Sequence, residues 1–493
     1  EGKTPAEFVA HWYEADRRDF KDLGISFDIF HQTSSKENIQ FTQHIFTKLY
    51  EKGFFFERSV SQSYCEECKK VLPDRYVKGT CPHCNALEQY SDGCEECGKV
   101  LQPSEIEEPH CAICGSTPSS KESQHYFFRL SQFSKALEEW LTGNPHLQSE
   151  VKNYVLQWIS AGLEDWDVTR DLTWGVPIPL SEAKGKVLYN WFDNHLCYIS
   201  TTLKYFADRG IDGREFWNSA RIYHFIGKDI VYHHYLFLPA MRLGAEEFKL
   251  PDLIPTRGHL LLHGAKFSKS RGWFVSLRAV LNLFPADYLR YYLTAITPYS
   301  QSDVNFDWEG FQARINNELI ANIGNFIHRT LTFIWSNYDG KVPKAENYDA
   351  LDTQFRGRIE KVANDVGKEI EIIELSKGLR KILEFSDFCN RYFQRKEPWA
   401  NRKEASTCLH LCVNAVKSLA ILLAPYLPLS AEVLWEQLKL EGTVHEQKWD
   451  SASKLSLKGG QEISKPRVLF RKVEAEEVER EKQKLLGRSR EPS

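Results

Sequence analysis

The sequence predicts an α/β domain interrupted by a cysteine-rich insertion and followed by an α-helical bundle. Three observations predict it. Short apolar stretches that read as buried parallel strands, at 187–193, 222–231 and 260–262, alternate with helical patterns over residues 1–310. Four CxxC pairs fall between Cys65 and Cys114, where hydrophobic content drops. From residue 311 onward, apolar residues recur at helical spacing and strand patterns cease.

A chain of 493 residues can bury two or three cores. The expected segments are 1–60 and 185–310 as the two halves of the α/β domain, 61–123 as the cysteine-rich insertion and 124–184 as a connective stretch; 311–470 is the helical domain and 471–493 a charged tail. A formal net charge of −4 gives no global sign of nucleic-acid binding, so any RNA contact must come from local basic patches. No run of roughly eighteen apolar residues and no signal-peptide pattern is present, which predicts a cytoplasmic protein without membrane contact. The chain starts at Glu1 rather than Met and reads as a fragment or processed product; that Met241 is its single methionine has no physical account.

Taken in order, Thr4, Pro5 and Glu7 form a capping-box start to an amphipathic helix carrying Phe8, Trp12 and Tyr13. ISFDIF, residues 25–30, alternates like a strand, and residues 35–53 read as a second helix with Ile39, Ile45 and Leu49 inward and Gly53 ending it. The pairs Cys65/Cys68, Cys81/Cys84, Cys94/Cys97 and Cys111/Cys114 follow. CxxC spacing lets two thiolates reach one tetrahedral ion, so eight ligands make two Zn2+ sites, and closed four-cysteine sites leave no position for a reactive water. Redox-active pairs are the alternative. The short stretch between Cys84 and Cys94 favours nested pairing, with Cys81, Cys84, Cys94 and Cys97 on one ion and Cys65, Cys68, Cys111 and Cys114 on the other. Sequential pairing is the competing arrangement. Cys197, Cys389, Cys408 and Cys412 read as buried small hydrophobes.

The apolar run Leu260, Leu261 and Leu262 empties into Gly264, Lys266, Ser268, Lys269, Ser270, Arg271 and Gly272. Lysines and hydroxyls on a mobile loop suit a polyphosphate, although a lone KxSKS more often describes a solvated loop. Further on, Ile315, Leu319, Ile323, Phe326, Ile327 and Ile334 share one helix face, with Asn322, Asn325 and Arg329 beside it. Residues 357–375, 379–393 and 407–423 continue the bundle, and residues 474–493 read as a frayed helix or disordered.

In order and spacing, FIGKDIVYHHYLFLPA (225–240), KFSKS (266–270) and DYLRYYL (287–293) resemble the C-terminal half of a class I aminoacyl-tRNA synthetase catalytic domain. The knuckles, with LPDRYVKGTCPHC, the segment GLEDWDVTRDLTWGVPIP and the helical end narrow the resemblance to the methionyl-tRNA synthetase family. It implies a Rossmann-type catalytic domain with a zinc-knuckle insertion and an α-helical anticodon-binding bundle. It further implies ATP-dependent activation of methionine to the adenylate and transfer to tRNA(Met), by a monomer or homodimer. Lys266 and Lys269 would stabilise the transferring phosphates, with Mg2+ sharing the charge, and Gly227, Asp229, Ser268 and Ser270 would complete the ATP site. Trp191, Tyr198, Ile230 and His234 match positions around the methionine side chain; Asn325, Arg329 and Trp399 match anticodon-reading positions. Structural readings stay open: Asp229 as the cap of a helix starting at Ile230, His234 as a satisfied buried histidine, Trp191 as core, and Asn325 or Arg329 as the polar flank of a helix packed on a neighbour.

The sequence also departs from the family pattern. WFDNHLCY stands where WFDAPIGY is expected, and His233 and Leu238 replace phenylalanine and tryptophan. The HIGH signature is expected before the segment aligned with Glu1, so the catalytic domain reads as incomplete. A synthetase-derived tRNA-binding paralogue or remnant, or an enzyme of altered amino-acid specificity, is the alternative function.

Overall fold

The computed structural model describes residues 2–73, 76–91, 94, 96–97, 101, 105–269, 272–400 and 402–488. It divides into two compact units, one of residues 1–27, 225–229 and 255–493, the other of residues 28–224 and 230–254.

The second unit is built on a long antiparallel hairpin. Phe55–Cys65 pairs with Ser119–Phe128 in continuous register from Phe55 opposite Phe128 to Tyr64 opposite Ser119, and Trp166–Asp167 adds to the outer edge of the latter strand. Strand ends at Cys65 and Ser119 carry the knuckles. Helix Lys36–Glu51 starts at the Ser35 side-chain cap and buries Phe41, Ile45, Phe46 and Leu49. Gly53 follows with φ +76°, a conformation that glycine adopts without a Cβ penalty. His125, 1% exposed, is held by the carboxylates of Asp167 at 2.8 Å and Asp171 at 2.9 Å, which fastens the hairpin to the segment that follows it.

The first unit has one hydrophobic core extending from Leu262 through Trp308, Phe311 and the helices beyond to Leu485, so the core does not break at residue 310. The predicted capping box is present: Thr4 accepts from the Glu7 amide while Glu7 reaches back to the Thr4 amide, opening helix Pro5–Asp22. Helices Ala350–Glu371, Leu375–Lys396, Arg402–Leu423 and Pro428–Gln437 form the bundle. The predicted face of residues 315–334 is buried as a set, with Ile315, Leu319, Ile323, Phe326, Ile327 and Ile334 at most 2% exposed. Residues 315–324 wind as a π-helical stretch between two α-helical ones.

Several sequence expectations are corrected. ISFDIF forms no strand, because alternation marks a possible sheet face and no strand among the described residues pairs with it. Residues 187–193 are a strand only at Val187–Leu188, which pairs antiparallel; from Asn190 the chain is helical to Ala207. In residues 222–231 only Ile226–Gly227 pairs as a strand, parallel to Thr256–Arg257, and Lys228–Ile230 closes a single 3-10 turn. Leu260–Leu262 is a strand, parallel to Val304–Phe306, but only Leu262 is buried and Leu260 is 37% exposed. Ala405–Leu423 is long and apolar enough to span a bilayer, contrary to the reading that no such run exists, yet 89% of it is buried in the bundle, as a core helix is. Cys197 is only partly buried, unlike Cys389, Cys408 and Cys412. Of the charged tail, Ala475–Arg488 is a helix, one of the two expected states, but it packs rather than frays, because Val478 and Leu485 bury and Lys482 pairs with Glu309 of the helix Trp308–Arg314; residues 489–493 lie outside the described residues.

Candidate functional site

Candidate site residues lie on both units. In the first unit the basic loop hangs from a tight hairpin. Leu260–Leu262 pairs antiparallel with Ala265–Lys266, and the turn residues His263 and Gly264 both take positive φ, 47° and 81°, as a two-residue hairpin turn requires. The Gly264 amide donates to Asn305 Oδ1 at 2.6 Å and the Trp273 indole to the Leu262 carbonyl at 3.0 Å, so both flanks of the loop are tied down. Between them Lys266 and Lys269 are exposed and Ser268 is half-buried, its amide bonded to the Trp273 carbonyl. Ser270 and Arg271 lie outside the described residues.

Gly227 ends its short strand with Asp229 folded back over it: a Cβ at position 227 would run into the Asp229 carboxylate. Asp229 itself is exposed. Lys228 points elsewhere, to Asp303 at 2.6 Å.

In the second unit two helical segments face each other. Trp191, His195 and Tyr198 are spaced i, i+4 and i+7 on helix Asn190–Ala207, so they line one face. Opposite is a π-helical turn, His233–Phe237, of the kind found often at functional sites. His233 stacks on Trp191 with ring centroids 4.2 Å apart, and His234 Nε2 lies 3.1 Å from the Tyr198 hydroxyl while its Nδ1 lies 3.0 Å from the Ile230 carbonyl oxygen. The structure therefore brings Trp191, Tyr198, Ile230 and His234 together. Beside them stand His195, one of the departures from the family pattern at WFDNHLCY, and two residues that the sequence did not single out, His224 and Arg242. Burial pushes His195 and His224 well below the ordinary histidine range, reinforced by neighbouring cationic groups, and lowers the Arg242 guanidinium to about 9. Burial also raises Asp193 to about 7. A single arginine inside the apolar run LPAMRLGA was the available sequence signal for Arg242.

The eight knuckle cysteines gather into two tetrads, Cys65, Cys68, Cys111 and Cys114, and Cys81, Cys84, Cys94 and Cys97, each with its sulfurs within 4.8 Å of one another. That is the nested arrangement. Sulfur separations of 3.4 and 4.0 Å in the first and 3.9 and 3.5 Å in the second match the about 3.8 Å that a tetrahedral ion with zinc–thiolate bonds of roughly 2.3 Å imposes. The donor set fits structural zinc. Metal analysis should give two zinc ions per chain, and Cys111→Ser should reduce this to one; retention of both would show that the outer tetrad is not a unit.

On the helical unit, Asn325 and Arg329 stand on helix Asn325–Asn337. Asn325 Nδ2 donates to Asn390 Oδ1 at 3.2 Å and Arg329 Nη2 to Gln394 Oε1 at 3.3 Å, both acceptors on helix Leu375–Lys396. The Arg329 guanidinium also sits 4.7 Å from the centre of the Phe393 ring and 5.8 Å from that of Trp399. Trp399 is 45% exposed, which leaves a face available for stacking. The three residues form one patch, and Asn390, Phe393 and Gln394 were missed because nothing local in the sequence announces a pairing with Asn325 or Arg329.

Comparison with known proteins fits this geometry. Residues 1–331 match the model for "tRNA synthetases class I (M)", and residues 352–486 match that for "Anticodon-binding domain of tRNA ligase". A methionine–tRNA ligase of Methanopyrus kandleri is 43% identical over 98% of this chain and 72% of its own length, and one of Pyrococcus furiosus is 39% identical over 97% and 68%. Among solved structures, Mycobacterium tuberculosis methionyl-tRNA synthetase in complex with methionyl-adenylate shares the fold with a TM-score of 0.78 at 24% identity, covering 95% of this chain and 87% of that one. A class I synthetase model over two thirds of the sequence, an anticodon-binding model over the helices and near-complete alignment with archaeal ligases place the chain in the methionyl-tRNA synthetase (methionine–tRNA ligase) family.

Proposed function

We propose that this ligase activates methionine with ATP and transfers it to tRNA(Met). The carboxylate oxygen of the amino acid attacks the α-phosphorus of ATP, the bond to pyrophosphate breaks, and the adenylate then yields its acyl group to the terminal ribose of tRNA as AMP leaves. The observation that carries the reading is the loop: two exposed lysines, Lys266 and Lys269, on a segment anchored at both flanks by Asn305 and Trp273. Ammonium groups held there can meet the negative charge that builds on the departing pyrophosphate. ATP arrives as its Mg2+ complex, and the ion shares that charge.

Gly227, Asp229, Ser268 and Ser270 take part in ATP binding. Trp191, Tyr198, Ile230 and His234 hold the amino-acid side chain, supported by their mutual contacts within the second unit. The zinc tetrads act structurally. Two cysteine tetrads with metal-ligand spacing fit a reducing, cytoplasmic setting, where thiolates serve metals. A monomer or homodimer is sufficient, since every group named comes from one chain. Methionine-dependent exchange of labelled pyrophosphate into ATP tests the activation step, and its absence under saturating substrates would contradict it.

Asn325, Arg329 and Trp399 read the anticodon loop, with Trp399 as the stacking platform. Trp399→Ala should weaken binding of tRNA(Met) by about 1–3 kcal/mol, a loss of roughly five-fold to more than a hundred-fold, without changing pyrophosphate exchange. Equal affinity of wild type and variant in a filter-binding assay, or equal binding of tRNAs with unrelated anticodons, would exclude this role.

A further inference from the structure

Asn390, half-buried on helix Leu375–Lys396, is the middle of a short relay of side-chain amides beside the anticodon patch. Its Nδ2 donates to the Asn322 carbonyl at 3.0 Å, to Asn322 Oδ1 at 3.1 Å and to the Ser386 carbonyl at 3.2 Å, while its Oδ1 accepts from Asn325 Nδ2 at 3.2 Å. Asn322 is fixed in turn, because its own Nδ2 donates to the Leu383 carbonyl at 3.2 Å. Main-chain carbonyls only accept. Each of these two amides therefore has one orientation, and turning either over would set oxygen against oxygen.

The consequence falls on Asn325. An exposed asparagine ordinarily offers either its oxygen or its amino group, and so distinguishes poorly between an amino-bearing base and a carbonyl-bearing one. Here Asn390 Oδ1 takes the amino group, and the oxygen is the end left for a ligand. Arg329, at i+4 on the same helix, carries donors only and needs no such lock; its Nη2 is held by Gln394 Oε1. An acceptor with donors beside it complements a base edge that places an amino group next to an acceptor, as cytosine does. Uracil presents a carbonyl where cytosine has the amine, and would bring that oxygen onto Asn325 Oδ1.

We propose that Asn390 is a positioning residue for anticodon recognition: by fixing the polarity of the Asn325 amide, it makes the patch select an amino-bearing pyrimidine over a carbonyl-bearing one. The proposal rests on reading Asn325, Arg329 and Trp399 as the anticodon site. Asn390 acts through Asn325 and not by touching RNA.

The test compares binding of the whole chain to two tRNA(Met) transcripts that differ only in the first anticodon base, CAU against UAU. Wild type should prefer cytosine by about ten-fold or more, the discrimination that one well-placed base-edge pairing gives. Asn390→Leu, which keeps the bulk and removes both polar ends, should lower that ratio by about three-fold to ten-fold, the worth of the single hydrogen bond that biases the amide. Asn390→Ser is the second variant: its hydroxyl can still bond the Ser386 carbonyl one turn back but falls short of Asn325, so it should lose the same discrimination at less cost to the helix. Adding Asn325→Asp to Asn390→Leu should bring the preference for cytosine back at lower overall affinity, because a carboxylate accepts on either side. A ratio that stays at the wild-type value in the folded variants, even if affinity for both transcripts falls equally, overturns the proposal and leaves the anticodon reading standing. A wild type that binds both transcripts equally also overturns it; unrelated anticodons bound just as tightly would remove the reading beneath it as well.

Discussion

Replacing Lys269 by alanine should lower amino-acid-dependent ATP–pyrophosphate exchange by about 10²–10³-fold, the loss typical when one preorganised donor to developing charge is removed. The side chain is exposed and its loop is fixed by contacts of Ser268, Trp273 and Gly264, none of which involves the ammonium group. The variant should therefore unfold at the wild-type temperature. The charge it meets grows along the reaction, so the loss should fall mainly on kcat rather than on the KM for ATP. A variant within about three-fold of wild type in kcat would show that the loop is solvated and uninvolved.

Lys396→Ala should destabilise the helical unit by about 3–5 kcal/mol, because removing one partner strands a buried charge. The Lys396 and Asp352 side chains are 3% and 2% exposed and lie 3.1 Å apart, and Asp352 also accepts from the Tyr392 hydroxyl at 2.5 Å. Asp349, at 2.9 Å from the ammonium group, completes the set and caps helix Ala350–Glu371. These contacts hold the lysine well protonated, its pKa raised by the two aspartates against the cost of burial. The chain leaves helix Leu375–Lys396 at this lysine through Glu397 in a left-handed conformation, φ 43°, and reaches Trp399 two residues later. Loss of the pair should thus loosen the RNA platform along with the helix. Urea unfolding checks the magnitude, and a change below about 1 kcal/mol would mean that water reaches the pair and screens it.

What the sequence revealed depended on how narrowly physics restricts each pattern. Metal valence dictates CxxC spacing, and the nested tetrads follow from the short stretch between Cys84 and Cys94. The face Ile315 to Ile334 and the Thr4–Glu7 capping box were legible for the same reason: one local geometry satisfies each. Short apolar runs were not. VLYNWFD reads as a strand only if burial on both faces is assumed, whereas the structure uses Trp191, His195 and Tyr198 as one side of a helix, a choice settled by the packing of His233 and His234 against them. Arg242 with His224, and Asn325 with Asn390, are partnerships across the fold, and a single sequence carries no signal of distance. That the tail is helical was one of two readings; that it packs was not legible, because composition counts its many charges while two side chains, Val478 and Leu485, decide the packing.

As a methionine–tRNA ligase, this chain should join methionine to tRNA(Met), which acid-gel analysis of tRNA(Met) incubated with the protein, ATP, Mg2+ and methionine reads out. A slower-migrating aminoacyl-tRNA that forms only with ATP, is cleaved by mild base and fails to appear with tRNAs of unrelated anticodons is the expected result. Bound but uncharged tRNA(Met), under conditions in which the protein is folded and loaded with zinc, would contradict it.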